Sequence, residues 1–327
     1  MRYVPLPNGI PSASVLGLGC AAMMGSASRR ESLAALAAAA DAGINFFDTA
    51  RSYGYGASES LLGEFFQCRR DKVILCTKFG ILPTPRTWKH SLKPIARTAL
   101  KLFPALRKTA RDQAGQPTPN QFSVQSLRTS LEASLRALRT DYVDILLMHA
   151  APIGVLAQQD LLEELARLVT AGKVRLAGIS AETEVIAATF AQHPPILQTA
   201  QFAANLSNFA FLNQIPTGSK MFLVANHPFG GPLGVAETRR RIATLHTEPT
   251  LTPDLRAKLD PADPQLLPEV ILNAILNSGI DAIVPAMLNP THLHANCRAI
   301  EQCRFTPTEL THLRSVLAVG MKKKLSS

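Results

Sequence analysis

Short apolar runs alternate with longer segments of helical character along this sequence. Eight such runs can be counted, and strict alternation predicts an α/β fold, a parallel sheet closed into a (β/α)8 TIM barrel. Six of them lead into a polar residue, Asp48, Lys78, His149, Ser180, Gln201 or His227, and that architecture carries its active sites at C-terminal strand ends. The length agrees. At 327 residues the chain can bury a sizeable core, barrels of this kind routinely exceed the usual domain length, and residues 1–327 are expected to form one domain.

The first strand is expected within Ser14 to Ala22. Gly17, Gly19 and Ala22 also fit a loose dinucleotide fingerprint, which would imply a doubly wound sheet with a phosphate at a helix start. That alternative needs a helix at once, whereas the helical pattern begins after Ser28, runs from Arg30 to Ala42 and stops at Gly43. Ile44 to Phe47 is the second strand. Helix Ala57 to Cys68 precedes strand Val73 to Gly80. Ser123 can cap helix Val124 to Leu138, whose Leu127, Leu131, Leu135 and Leu138 form one apolar stripe suited to a sheet. After strand Val143 to His149, helix Leu161 to Ala171 is closed by Gly172, and Lys173 to Ser180 is the fifth strand. Helix Thr183 to Gln192 leads to strand Ile196 to Gln201. A region near Asn205 to Leu212 leads to strand Met221 to Ala225, and helix Leu266 to Asn277 to strand Asp281 to Val284. Further helices are expected from Thr291 and over Thr308 to Val319.

Composition narrows the function classes. Five scattered cysteines, Cys20, Cys68, Cys76, Cys297 and Cys303, offer no pair at zinc-binding spacing and read as reduced thiols. No apolar stretch is long enough to span a bilayer, and Met1 to Pro11 lacks a basic region followed by an apolar one, so a cytoplasmic protein is expected. A formal charge of +10 suits an acidic partner, but a basic balance alone more often marks a solvated surface, and neither nucleic acid nor membrane is expected. One basic insertion stands apart, at about 81–122 after the third strand. It reads either as a solvated flap or as a basic amphipathic segment over the pocket that favours anionic or bulky substrates.

The chemistry concentrates between Gly43 and Gly54. The strand there ends in Asp48, with Tyr53 on the following loop. A phenol, with a pKa of roughly 10, becomes a usable acid when a nearby cation lowers it. Lys78 ends the next strand and His149 the one after. Each has a plainer reading alone: Asp48 as a turn residue, Tyr53 as a loop tyrosine, Lys78 as a surface lysine, His149 as a structural histidine. As a set they make one constellation.

These residues resemble the aldo-keto reductases. That family's Asp-Thr-Ala, Tyr-Gly and Glu-x-x-Leu-Gly pattern is matched by Asp48-Thr49-Ala50, Tyr53-Gly54 and Glu59-Ser60-Leu61-Leu62-Gly63, its lysine by Lys78, and its Asp-Tyr-x-Asp strand ending in His by Asp141-Tyr142-Val143-Asp144 running to His149. The resemblance implies an NAD(P)-dependent oxidoreductase interconverting a carbonyl, in an aldehyde, ketone or sugar, and an alcohol. Tyr53 would be general acid or base, Lys78 would lower its pKa, Asp48 would hold Lys78, and His149 would orient the substrate carbonyl.

On the cofactor side, Ser180 and Gln201 match residues that hold the carboxamide, with Ala181 where an asparagine is usual. Asn226, His227, Pro228 and Phe229 match the loop after strand seven, Asn226 standing where many members stack a tyrosine. Pro285, Ala286, His292 and Asn296 match the loop that grips the 2′-phosphate, although members with strong NADP preference commonly carry a lysine at Ala286 and an arginine near His292. The resemblance implies NADP(H), with NAD(H) as the alternative. His292 and His294 face different sides of a helix, and no metal is expected. A reading from another class is a regulatory or partner-binding barrel that keeps the nicotinamide site but turns over little.

Overall fold

The structure is a computed structural model and describes residues 1–84, 121–216, 218–247 and 251–318; residues 85–120 of the basic insertion lie outside the described residues. The chain opens with an antiparallel hairpin, β1 (Tyr3–Val4) and β2 (Ala13–Ser14). Eight parallel strands follow, each paired with the next in chain order: β3 (Leu18–Gly19), β4 (Phe46–Asp48), β5 (Ile74–Phe79), β6 (Val143–His149), β7 (Val174–Ser180), β8 (Leu197–Ala203), β9 (Phe222–Asn226) and β10 (Ala282–Val284). The sheet closes on itself. Gly17 N–H donates to the Ile283 carbonyl at 2.8 Å, Ile283 N–H to that of Val15 at 2.8 Å, and Gly19 N–H to that of Pro285 at 2.9 Å. The fold is the (β/α)8 barrel.

The seam also disposes of the doubly wound alternative. A Cβ on Gly17 would lie 2.9 Å from the Phe46 carbonyl oxygen and from Val284 Cγ1, and one on Gly19 would lie 2.8 Å from the Val284 oxygen. These glycines let the first and last strands meet. The next helix, α1 (Arg29–Asp41), begins only after a turn, with a capping box in which Ser28 Oγ accepts from Glu31 N–H at 3.2 Å and the Glu31 carboxylate accepts from Ser28 N–H at 2.7 Å. The expected first strand is also divided. Ser14 belongs to the hairpin, where it pairs with Tyr3, while its N–H donates to Asn45 Oδ1 at 2.7 Å and its hydroxyl accepts from Asn45 N–H at 3.2 Å, tying the hairpin to the start of β4.

The remaining helices are α2 (Ala57–Phe66), α3 (Val124–Leu138), α4 (Gln159–Thr170), α5 (Thr183–Gln192), α6 (Phe209–Leu212), α7 (Gly231–His246), α8 (Pro253–Lys258), α9 (Leu266–Leu276), α10 (Pro290–Glu301) and α11 (Pro307–Ala318). Two of them, α7 and α8, are absent from the sequence reading. Helix α7 buries only Thr238 and Ile242 and starts at Gly-Pro-Leu-Gly, so it offers no apolar stripe to find. Among the described residues, no helix is long and apolar enough to cross a membrane.

Strand alternation sorts the apolar side chains into two cores. One faces the barrel axis and includes Phe46, Ile74, Cys76, Ile145, Leu147, Leu176, Phe222, Val224 and Val284, joined by Leu6 and Ala13 of the hairpin segment. The other packs the sheet against its helices, with Leu127, Leu131 and Leu138 of α3 fully engaged. At the start of β6, Asp144 accepts from Arg70 Nη2 at 2.7 Å, Leu75 N–H at 2.9 Å and Arg175 Nη1 at 2.9 Å. The Tyr142 ring lies 4.1 Å from each of the two guanidinium carbons. The Asp-Tyr-x-Asp pattern thus clamps strands together at the end of the barrel opposite His149. Gly63 has a packing role of its own: a Cβ there would run into the backbone of Ala137 and Leu138, so it sets the close approach of α2 to α3.

The seam geometry gives a first test. Gly17→Ala is expected to cost about 1–3 kcal/mol by forcing the strands apart, whereas Gly154→Ala, which meets nothing within 4 Å, should stay within about 0.5 kcal/mol of wild type. Urea denaturation of the two variants measures the difference, and equal midpoints would refute this account of the seam.

Candidate active site

Five polar residues at the barrel mouth stand two places beyond an axis-facing apolar residue, or four in the case of Ser180. Asp48 follows Phe46, Lys78 follows Cys76, His149 follows Leu147, Ser180 follows Leu176, and Asn226 follows Val224. The two-residue period therefore sends all of them inward at the C-terminal end. Register completes the layer, with His149 opposite Ser180 and Ser180 opposite Gln201 on adjacent strands.

Lys78 is only 1% exposed. Its ammonium donates to Asp48 Oδ1 at 2.7 Å and to the Thr49 carbonyl at 2.9 Å. Burial opposes the charge, but the attraction and hydrogen bond of the Asp48 carboxylate outweigh it and hold the Lys78 pKa above its ordinary value. The same ammonium lies 5.0 Å from the centroid of the Tyr53 ring, and that ring meets His149 edge-on at a centroid distance of 5.7 Å. All four residues are therefore brought together. Burial, and behind it the positive charge of Lys78, pushes His149 down to about 3, so its imidazole is neutral across the physiological range.

The expected lowering of the Tyr53 pKa is not what results. Burial raises it more than the charge and hydrogen bond of Lys78 lower it, and Asp48 adds to the rise, so the phenol stays above its ordinary value. Lys78 limits the rise and does not reverse it. Cys20 and Cys76 are buried beside Asp48 and are raised by burial first and by that carboxylate second, so both remain neutral thiols.

The Tyr53 loop is held from two sides. Gly54 takes φ 58°, and a Cβ there would strike the Met23 carbonyl. Glu59, fully buried, accepts from Thr77 Oγ1 at 2.6 Å and from Arg51 Nη1 at 3.1 Å, tying the loop to β5. In the Glu-x-x-Leu-Gly pattern, then, the glutamate steadies the loop that carries the phenol.

The amide side is equally ordered. Ser180 Oγ donates to Gln201 Oε1 at 2.9 Å, and Gln201 Nε2 donates to Asp48 Oδ1 at 2.9 Å. Asn226 Oδ1, in contrast, is buried at the end of β9 with no hydrogen-bond partner. Its neighbour Pro228 is buried, while His227 takes φ 48°, its side chain exposed and its carbonyl accepting from Gly230 N–H at 3.0 Å. Phe229, Ala286, His292 and Asn296 line one cavity of about 180 Å³ beside the start of α10, together with Val235, Arg239 and Leu267. Pro285 is buried in the seam, its carbonyl taken by Gly19. Among the described residues, no group of three or more His, Cys, Asp or Glu side chains is placed to hold a metal ion.

A family model described as the Aldo/keto reductase family matches residues 15–213, more than half of the chain. This protein belongs to the aldo/keto reductase family. Among curated relatives it resembles aldo-keto reductase YhdN of Bacillus subtilis (strain 168), 31% identical over 186 residues, or 55% of this chain and 47% of that protein. It also resembles aldo-keto reductase yakc [NADP(+)] of Schizosaccharomyces pombe, 29% identical over 177 residues, or 53% and 44%. The chain thus spans about half the length of the curated relatives it matches. The holo form of aldo-keto reductase AKR11C1 from Bacillus halodurans shares the fold with a TM-score of 0.68 at 20% identity, covering 97% of this chain and 96% of that one.

Beside the family pattern, two features of this aldo/keto reductase escaped the sequence reading. Arg239 sits on α7, a helix whose outline was not visible, and the link from Gln201 to Asp48 joins positions 153 residues apart. The Arg239-Arg240-Arg241 triplet is the signal that could have drawn attention to α7.

His149 supplies a pH test. Unfolded, it protonates near its ordinary pKa of about 6.5; folded, it stays neutral to about 3. The unfolded chain therefore binds more protons between those values, and this contribution to stability is complete above about pH 6.5 and lost as the pH falls toward 3. Urea denaturation over that range is expected to show a flatter dependence for His149→Asn than for wild type. Parallel curves would mean that His149 protonates as freely in the folded protein as in the unfolded chain.

Proposed function

We propose that this aldo/keto reductase is an NAD(P)H-dependent oxidoreductase that interconverts a small carbonyl compound and its alcohol. The observation that carries the reading is the convergence of a phenol, a buried ammonium with its carboxylate, and a neutral imidazole at one barrel mouth. When bound, the nicotinamide supplies hydride to the carbonyl carbon or accepts it from the alcohol. His149, being neutral, keeps one N–H for the carbonyl oxygen and orients it. Tyr53 donates its proton to that oxygen as negative charge grows there; its raised pKa keeps it protonated until then. Lys78 stabilises the phenolate left behind, and Asp48 fixes Lys78 in place.

The residues present fit the cofactor. Asn226 Oδ1 is an orphaned buried acceptor at the mouth and suits the N–H of a carboxamide, the group that Ala181 can no longer hold with a side-chain amide. Ser180 and Gln201 complete that end, and the Phe229, Ala286, His292 and Asn296 cavity takes the adenosine end, with the His227-Pro228 turn and Pro285 framing it. NADP(H) is the preferred form in this reading. The chain works as one domain, and the basic insertion at about 81–122 leaves the rim beside Lys78, where Gln121 N–H donates to the Gly80 carbonyl at 3.0 Å. Free thiols at all five cysteines support a reducing, cytoplasmic setting.

Tyr53→Phe tests the reading. Loss of the proton donor is expected to lower turnover of an aldehyde panel roughly 10²- to 10⁴-fold, with nucleotide affinity retained. Unimpaired turnover would remove Tyr53 from the chemistry, and binding without turnover in either protein would favour a nicotinamide-binding regulatory barrel.

A further inference from the structure

Three consecutive arginines lie on α7, and they are not equivalent. Arg240 donates to Glu237 through Nε and Nη2 at 2.8 and 2.7 Å, and Arg241 Nε donates to Glu237 at 2.8 Å. Arg239 has no hydrogen bond or ion pair among the described residues, and it lines the cavity at the start of α10. Two acids of this region are already engaged: Glu237 by its two arginines, and Asp263, in the adjoining hollow, by Arg304 at 2.6 Å.

The same cavity supplies independent evidence of a ligand. Asn296 is only 4% exposed and faces the cavity, yet its amide makes no hydrogen bond among the described residues. Asn296 is carried by the twelve-residue α10, which also lines the cavity with His292 of its first turn and whose cap Asn289 Oδ1 accepts from Thr291 N–H at 2.9 Å. Phe229, Val235 and Leu267 give the cavity apolar walls. At about 180 Å³ it is smaller than the roughly 300–1,000 Å³ of a typical small-molecule site, so it accommodates one end of a dinucleotide. Apolar walls, a buried amide, an unpaired guanidinium and a helix N-terminus together suit a flat base attached to a phosphorylated sugar.

We infer that Arg239 is the side chain that recognises the 2′-phosphate of NADP(H), in place of the basic side chains missing at Ala286 and His292. This rests on the nucleotide-dependent reading above and deepens it: the discriminating charge arrives from α7, which lines the same cavity as Ala286 of the β10–α10 loop. Arg239 is exposed and makes no structural bond, so its replacement leaves the fold intact.

Calorimetric titration with NADPH, NADH and adenosine 2′,5′-bisphosphate tests the assignment without relying on turnover. Wild type is expected to prefer NADPH. Arg239→Ala should weaken NADPH and the bisphosphate by roughly 10- to 100-fold, the loss of a charge-assisted hydrogen bond, while NADH affinity stays the same and reports an intact site. Adding Ala286→Lys to that variant should restore part of the loss. Unchanged NADPH binding in Arg239→Ala, or an equal fall for NADPH and NADH, would overturn the role of Arg239 while leaving the reductase reading in place. A wild-type protein that binds none of the three would overturn the reductase reading itself.

Discussion

The ion pair between Lys78 and Asp48 is the constraint on which the mouth of the barrel depends. An ammonium that is 1% exposed has given up almost all of its water, and the mutual attraction of two such charges repays that loss only when their remaining hydrogen-bonding capacity is also met. Here it is met from three other places. The Thr49 carbonyl takes a second Lys78 proton, Gln201 donates to Asp48, and Ser180 donates to Gln201 in turn. Removing either charge alone would strand the other at a cost on the order of 3–5 kcal/mol. Ser180, Gln201, Asp48 and Lys78 therefore form one connected chain of hydrogen bonds that ends at the ammonium beside Tyr53.

A second buried carboxylate uses the same physics for a different purpose. Asp144 sits at the opposite end of the barrel with two guanidinium groups and a backbone N–H, and the Tyr142 ring is placed between those guanidiniums. Nothing there is left to react, so the arrangement only fastens strands. At the mouth, by contrast, Asn226 Oδ1 lacks a partner and Tyr53 and His149 meet edge-on with polar atoms to spare. A satisfied network fixes structure, whereas an unsatisfied one at a strand end marks where a ligand completes it.

The legible parts of this protein were those with a short period. The eight strands and most helices follow from apolar spacing, and the inward direction of Asp48, Lys78 and His149 follows from counting two residues on from Phe46, Cys76 and Leu147. What stayed hidden depends on distant packing. The division of the first strand turns on the pairing of Ala13 and Ser14 with Val4 and Tyr3. The direction of the Tyr53 shift turns on how completely the folded barrel excludes water, which spacing cannot report, and so the attraction of Lys78 was overvalued. Helix α7 escaped because a helix that buries two residues leaves almost no periodic trace.

Departures from a family pattern at Ala181, Ala286 and His292 look, along the chain, like lost binding groups. In a closed barrel they need not be. The C-terminal ends of all eight strands and the loops after them surround one opening, so a ligand atom within it can be reached from several segments, and electrostatic attraction depends on distance rather than on which loop carries the charge. An amide absent after β7 can be offset by Asn226 at the end of β9, and a cation absent after β10 by Arg239 on α7. The conditions are that the replacement has no other partner and faces the same space. Asn226 Oδ1 is buried without a partner at the mouth, and Arg239 lies unpaired on the cavity wall while both neighbouring arginines are held by Glu237. Glu237 thereby leaves one positive charge of the triplet available at a single place, which a chain position taken alone would not reveal.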